Sequence, residues 1–229
     1  MKADVGVVIV AGGKGARAGG SELKQFRWVA GKPMLLHSVH AFQERADVGM
    51  VVVVLPHAHV GDPPVWLFQS DTERLLLSVG GRERIDSVRN GMEDVPDDLD
   101  VIVIHDAARP LVTAKMIDDV ITEARKGNAA APGIPVVDTL KRVDDDRHIV
   151  ETVERTGLVR IQTPQAFPRD MLVEAHHKAI ADSVTATDDA ALCERIGMKV
   201  VVVPGNELAM KITSEEDFAR AEALSILRG

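Results

Sequence analysis

The chain has 229 residues, enough for one large α/β domain with a full core, and its 45% hydrophobic content is that of a globular protein. With 35 acids against 27 bases the formal charge is -8, which excludes general nucleic-acid binding and makes any cluster of cations a local site for a small anion. A single cysteine excludes an internal disulfide, no Cys or His spacing matches a zinc site, and no apolar run is long enough to span a membrane, so a reducing, cytoplasmic setting is expected.

The first predicted element is a strand, Val5-Gly6-Val7-Val8-Ile9-Val10, whose apolar, β-branched run suits burial on both faces. It stops at Ala11-Gly12-Gly13, where missing side chains let backbone amides approach a ligand, and Lys14, Gly15, Arg17 and Lys24 follow. Open α/β sheets bind ligands at the carboxyl ends of their strands, so this is a site for a polyanion. Residues 13–18 fit the loose dinucleotide pattern G-x-G-x-x-A, but that fingerprint also wants an acid ending the second strand, and here Met50 to Leu55 runs into Pro56-His57. The Walker pattern fails as well, because Gly31-Lys32 is followed by Pro33. Glycine-rich backbone with Arg17 and Lys24 suits a triphosphate whose α-phosphate is attacked while pyrophosphate leaves. The order A-G-G-x-G-x-R followed by Lys24-Gln25 resembles the signature loop of sugar-phosphate nucleotidyltransferases; a dinucleotide fold and a purely structural glycine turn are the alternatives for this loop alone.

A helix is predicted over residues 33–42, with Pro33 in its first turn. His37 and His40 share one of its faces, but a metal pair needs a third ligand and an open position, so they read as surface or packing residues. After the second strand, His57 and His59 read as solvent-exposed loop residues. The next strand, Arg74 to Ser78, ends at Gly80-Gly81, and Arg84 and Ser87 fall in the first turn of the helix that follows. This second glycine pair suits a base or ribose, or else a capped helix start with exposed arginines.

Val101 to Ile104 forms a further strand, leading into His105-Asp106-Ala107-Ala108-Arg109-Pro110. A carboxylate at this crevice is placed to hold a magnesium ion bridging triphosphate oxygens, which makes Asp106 the metal candidate. Pro110 and Thr113 put the next helix start too far along for Asp106 to cap it. Arg109 would face an incoming phosphate. His105 is not needed as a base, since a phosphate monoester already carries nearly two charges at neutral pH, its second pKa being about 6.

Residues 129–136 read as another buried strand. Thr139 to Val143 and His148 to Val153 then flank Asp144-Asp145-Asp146 as a hairpin with little apolar surface for its own domain. Isolated hairpins are marginal, so it either packs on a partner or forms a solvent-facing flap. Arg169 to Ala181 reads as a helix; its adjacent His176 and His177 point about 100° apart and are expected at the surface. Thr187 is expected to cap the helix that begins with Asp188-Asp189, Cys193 to pack inside it, and Thr213 to Glu216 to form a capping box for the last helix.

Together, H-D-A-A-R-P at 105–110, G-G-x-x-R-x-x-S-V at 80–88, Asp138 to Arg142, Arg155 to Leu158, Gln162 to Gln165, Thr187 to Ala190 and Lys211 to Thr213 resemble the 2-C-methyl-D-erythritol 4-phosphate cytidylyltransferase family over nearly the whole chain. The resemblance implies a single Rossmann-like α/β nucleotidyltransferase domain with a mainly parallel sheet, from which residues 138–160 protrude as a β-arm that interlocks a homodimer. It implies transfer of CMP from CTP to methylerythritol phosphate with Mg2+, using Arg17, Lys24 and Lys211 on the reacting phosphates. Ala11, Gly12, Gly13, Gly15, Gly81, Arg84, Ser87 and Ala107 would bind the nucleotide. Asp106, Arg109, Thr139, Arg155, Thr163 and Thr187 would bind the acceptor, Arg155 by reaching the neighbouring subunit's site. The chain departs from the family pattern at Gly12, Leu23 and Ala209, where alanine, proline and asparagine are usual. The rival readings are a cytidylyltransferase for another polyol phosphate, such as ribitol 5-phosphate, and a nucleotide-binding dimer without turnover.

Overall fold

The computed structural model describes residues 3–13 and 23–226. β1 (Val5–Val10) runs up the middle of the sheet to the first glycine loop. A short antiparallel pair, β2 (Trp28–Val29) and β3 (Lys32–Pro33), leads into α1 (Met34–Gln43), which starts directly after Pro33. β4 (Val48–Leu55), the one-turn α2 (His57–Val60), β5 (Leu75–Val79), α3 (Arg84–Glu93) and β6 (Val101–Asp106) follow. Next come α4 (Ala114–Arg125), capped by the Thr113 hydroxyl, then β7 (Ala129–Pro135), the hairpin of β8 (Leu140–Val143) and β9 (Ile149–Val153), and β10 (Val159–Ile161). The remaining elements are β11 (Gln165–Pro168), α5 (Arg169–Ala181), α6 (Asp189–Arg195), β12 (Val200–Pro204) and α7 (Glu215–Ser225).

The main sheet has the order β10-β7-β11-β6-β1-β4-β5, with β12 also paired to β7. Pairings β5-β4-β1-β6 and β7-β12 are parallel; β11 is antiparallel to β6 and β7, and β10 to β7. β1 pairs with β4 on one side and β6 on the other, so the chain reverses its direction of travel across the sheet between β1 and β6. That reversal opens a crevice at the strands' carboxyl ends.

Both faces of the sheet are covered, which is why β1 and β4 read as unbroken apolar runs. Val7, Ile9, Val51, Val53 and Val103 pack under α1 and α4. Val8, Val52, Val54, Ile102 and Ile104 pack under α3, α5 and α6. α3 lies close to the sheet because Gly91 has no side chain: a Cβ there would stand 2.5 Å from Val8 Cγ1 and 2.7 Å from Val54 Cγ2. A third cluster, Val29, Met34, Leu111, Ile212 and Phe218, fastens α7 and the segment before it beside the crevice.

The structure corrects several local expectations. Asp188, not Thr187, caps α6, its side chain accepting from Ala191 N at 3.0 Å. The last capping box is formed by Ser214 and Asp217, not by Thr213 and Glu216. His57 and His59 sit on the short α2; His57 is exposed, but His59 is half-buried with its ring edge-on to Phe26. His176 is buried and bonded to Asp189, whereas His177 is exposed as expected. The β8–β9 hairpin forms its own two-stranded sheet with nearly every residue exposed, while Val159 and Arg160 already belong to β10 in the main sheet.

Candidate active site

Two glycine loops meet at the crevice. Ala11 N donates to Val54 O at 2.9 Å and Gly80 N to Leu55 O at 2.7 Å, so each loop leaves the sheet tied to β4. Gln25, buried in the short 3-10 turn Lys24–Phe26, donates its side-chain amide to Ala11 O at 2.7 Å and Gly13 O at 3.2 Å. This clamp on the first loop is absent from the sequence expectations; Gln25 stands out there only as the residue after Lys24. In the second loop the Ser87 hydroxyl accepts from Gly81 N at 3.0 Å and donates to Glu83 O at 3.1 Å. Ser87 and Gly81 line the cavity, together with Ala11, Gly12, Gly13 and Ala107.

The same cavity, of about 610 Å³, is lined by the cations Lys24, Arg82, Arg84 and Lys211 and by the carboxylates Glu83 and Asp106. Lys211 Nζ lies 2.6 Å from Asp106 Oδ2, and Arg84 Nε lies 3.4 Å from Asp106 Oδ1. Burial by itself would raise the Asp106 pKa, but the charges of Arg84 and Lys211 outweigh it and hold the carboxyl far below the usual range. Arg84 is more deeply committed to Asp189, with Nη1 2.7 Å from Oδ2. Burial opposes its charge, yet the two carboxylates raise its pKa further above the ordinary guanidinium value. Lys24 Nζ donates to Ile212 O at 2.7 Å, and Ile212 N to Ala108 O at 2.8 Å, so the Lys211 segment is laced to the Asp106 turn.

Other expected site residues stand elsewhere. Arg109 does not line the cavity; Nη1 donates to Ala209 O at 2.8 Å, and burial lowers its pKa. Thr163 is buried, and its hydroxyl oxygen accepts from Asp106 N at 3.0 Å. Its proton then serves His105 Nδ1 at 3.2 Å, which leaves the His105 Nε2 hydrogen for Arg109 O at 3.2 Å. Burial pushes the His105 pKa down to about 4, so the ring is neutral and this chain of bonds has one direction. Thr139 and Arg155 lie on the exposed arm, where Arg155 donates to Val137 O, and Thr187 is exposed ahead of α6. Arg17, Gly15 and Lys14 lie outside the described residues.

Among the described residues no group of three or more His, Cys, Asp or Glu side chains could hold a metal ion alone. Asp106 by itself fits magnesium that arrives on a triphosphate, because Mg2+ commonly takes one or two protein carboxylates and completes its shell with phosphate and water. No helix among them is long and apolar enough to cross a membrane.

Glycine-lined backbone at a sheet's reversal point, with Arg84 and Lys211 held against the ionised Asp106, defines an α/β fold with a pocket suited to a phosphorylated ligand. The family model described as IspD, 2-C-methyl-D-erythritol 4-phosphate cytidylyltransferase, matches residues 5–228. The chain belongs to this family. It is 40% identical over 226 residues to the 2-C-methyl-D-erythritol 4-phosphate cytidylyltransferase of Syntrophus aciditrophicus, covering 97% of this chain and 96% of that one. It is 42% identical over 220 residues to that of Salinibacter ruber, covering 95% and 91%. The crystal structure of the Thermus thermophilus enzyme of the same name superimposes with a TM-score of 0.80 at 32% identity, covering 96% of this chain and 98% of that one. The Anaerococcus prevotii 4-diphosphocytidyl-2C-methyl-D-erythritol synthase gives 0.83 at 26% identity, covering 98% of both chains.

Proposed function

We propose that the chain transfers CMP from CTP to 2-C-methyl-D-erythritol 4-phosphate at this cavity, giving 4-diphosphocytidyl-2-C-methyl-D-erythritol and pyrophosphate in isoprenoid biosynthesis. The observation that carries the reading is the set of Lys24, Arg84 and Lys211 facing the glycine loops of a chain in this family. A phosphate oxygen of the acceptor attacks the α-phosphorus of CTP in line; the new P–O bond forms as the bond to pyrophosphate breaks, and the leaving group takes the electron pair. No general base is required, because the attacking monoester is already ionised.

The protein's part is position and charge. Gly12, Gly13 and Gly81 allow the nucleotide close to the backbone, with Ser87 fixing the second loop and Ala107 closing the floor. Lys24 and Lys211 stabilise negative charge growing at the five-coordinate phosphorus and on pyrophosphate, and Arg17 is assigned to the same task from its place in the loop motif. Phosphate oxygens replace Asp106 as partners of Lys211 when the triphosphate enters. Asp106 would hold Mg2+, which when bound neutralises triphosphate oxygens.

The exposed β8–β9 arm is assigned to a homodimer, with Arg155 offered to the acceptor in the partner's site and Thr139 to acceptor binding, and the enzyme to the cytoplasm. Isolated hairpins are marginally stable, which supports a partner against this one. The reading is tested by pyrophosphate release from CTP and magnesium with methylerythritol phosphate, ribitol 5-phosphate or no acceptor. Release with methylerythritol phosphate alone is expected. Release with ribitol phosphate alone would overturn the acceptor assignment, and CTP binding without release would overturn turnover itself.

A further inference from the structure

We infer that Asp189 is a positioning residue for the nucleotide site: it holds Arg84 in the cavity, and does so as a buried member of the chain of contacts His176–Asp189–Arg84–Asp106, which runs from the core to the cavity wall. This rests on the proposed role of the cavity in binding CTP. Three observations carry it. First, Arg84 grips Asp189 at 2.7 Å but touches Asp106 at only 3.4 Å, so the guanidinium is anchored from within and only loosely engaged on the cavity side. A phosphate could replace the weaker contact and leave the stronger one intact.

Second, Asp189 is not the residue that caps α6. Its neighbour Asp188 caps α6, accepting from Ala191 N at 3.0 Å, and Gln165 fixes that cap by donating to Asp188 Oδ2 at 2.7 Å. Asp189 is 1% exposed, and a buried carboxylate at such a position generally stabilises a fold no better than an apolar residue of its size. Third, the remaining oxygen of Asp189 is committed too. His176 Nε2 donates to Oδ1 at 3.1 Å, since a carboxylate only accepts; its buried Nδ1 has no partner among the described residues. Among the described residues, the side-chain hydrogen bond of this buried histidine is thus to Asp189.

The test is a double-mutant cycle on CTP binding by calorimetry without acceptor, using the full chain, Arg84→Ala, Asp189→Asn and the double variant, with thermal unfolding measured on each. Asp189→Asn is expected to weaken CTP binding about tenfold in the presence of Arg84 and less than twofold in its absence. In steady-state assays the KM for CTP should rise while kcat and the KM for methylerythritol phosphate stay within about twofold. Should Asp189→Asn fail to fold, Asp189→Glu keeps the charge but displaces it, and a loss of at least threefold in CTP affinity is expected. Undiminished CTP binding by either variant, or equal weakening with and without Arg84, would overturn the inference. If the unmodified chain itself does not bind CTP, the functional reading falls and this one with it; if it binds and the variants match it, only this one falls.

Discussion

Replacing Gly81 by alanine should damage both the fold and the nucleotide site, whereas the same change at Gly12 should leave the stability of the fold nearly unchanged. A Cβ on Gly81 would sit 2.2 Å from Asp86 Cβ and 2.9 Å from the Asp86 carbonyl carbon. Neither atom can rotate aside, because both belong to the backbone and side-chain root of the first turn of α3, which the Glu83–Asp86 capping box holds in place. Overpacking of this kind costs about 1–3 kcal/mol, and in a chain of this length each kcal/mol lowers the thermal midpoint by about 2–4 °C. The loop must also move away from Ser87, which accepts the Gly81 amide hydrogen, so the KM for CTP should rise. At Gly12 the nearest atoms to an added Cβ are Gly80 Cα and Ser87 Oγ, both at 3.4 Å, an ordinary contact. Gly12→Ala should therefore stay within about 0.5 kcal/mol of the unmodified protein. Urea midpoints at unchanged m values, with CTP kinetics on the same preparations, decide the matter. If Gly12→Ala proved as destabilising as Gly81→Ala, or if Gly81→Ala kept both stability and CTP affinity, the close packing of the two loops would be the wrong explanation for their glycines.

Lys24→Ala should lower kcat by about 10²–10³ with a much smaller change in CTP affinity, and equal losses in both would reject a transition-state role. Cys193 is fully buried, and burial with the nearby Asp189 charge pushes its thiol up to about 12. A thiol reagent at pH 8 should accordingly modify it only as the protein unfolds, and rapid labelling of the native chain would contradict its packing. Asp217 accepts from Thr213 N at 2.8 Å, from the Thr213 hydroxyl at 2.8 Å and from Ser214 N at 2.9 Å, and these bonds lower its pKa to about 2. Because the folded value is depressed, its contribution is complete above the unfolded value near 3.8 and is lost as pH falls toward 2. Asp217→Asn should cost about 1 kcal/mol at neutral pH, and the gap in urea midpoints should close in acid; a gap independent of pH would mean that the charge is irrelevant.

The local elements were legible because their causes are local. Both-face burial makes β1, β4 and β6 continuous apolar runs, and glycine pairs mark where β1 and β5 give way to the loops that line the cavity. Asp106, Lys24 and Lys211 stood out through ordered motifs, and all three line the cavity. Helix starts were read less well. Thr187-Asp188-Asp189 and Thr213-Ser214 each offer adjacent capping residues, and a shift of one position decides which side chain caps and which is carried inward.

What the sequence by itself determined, then, is where strands stop, where backbone is left bare and which charged side chains stand near those points, since these follow from periodicity and residue type within a few positions. Only the tertiary structure decided the partners. Arg84 and Asp189 are separated by 105 positions, as are Asp106 and Lys211, and no local pattern states which distant acid a cation will meet. His176 became a core residue, and Thr163 a support beneath Asp106, because packing α5 and α6 on one face of the sheet and running β11 beside β6 removed both from solvent. A buried polar atom must then take whatever partner the fold brings within reach.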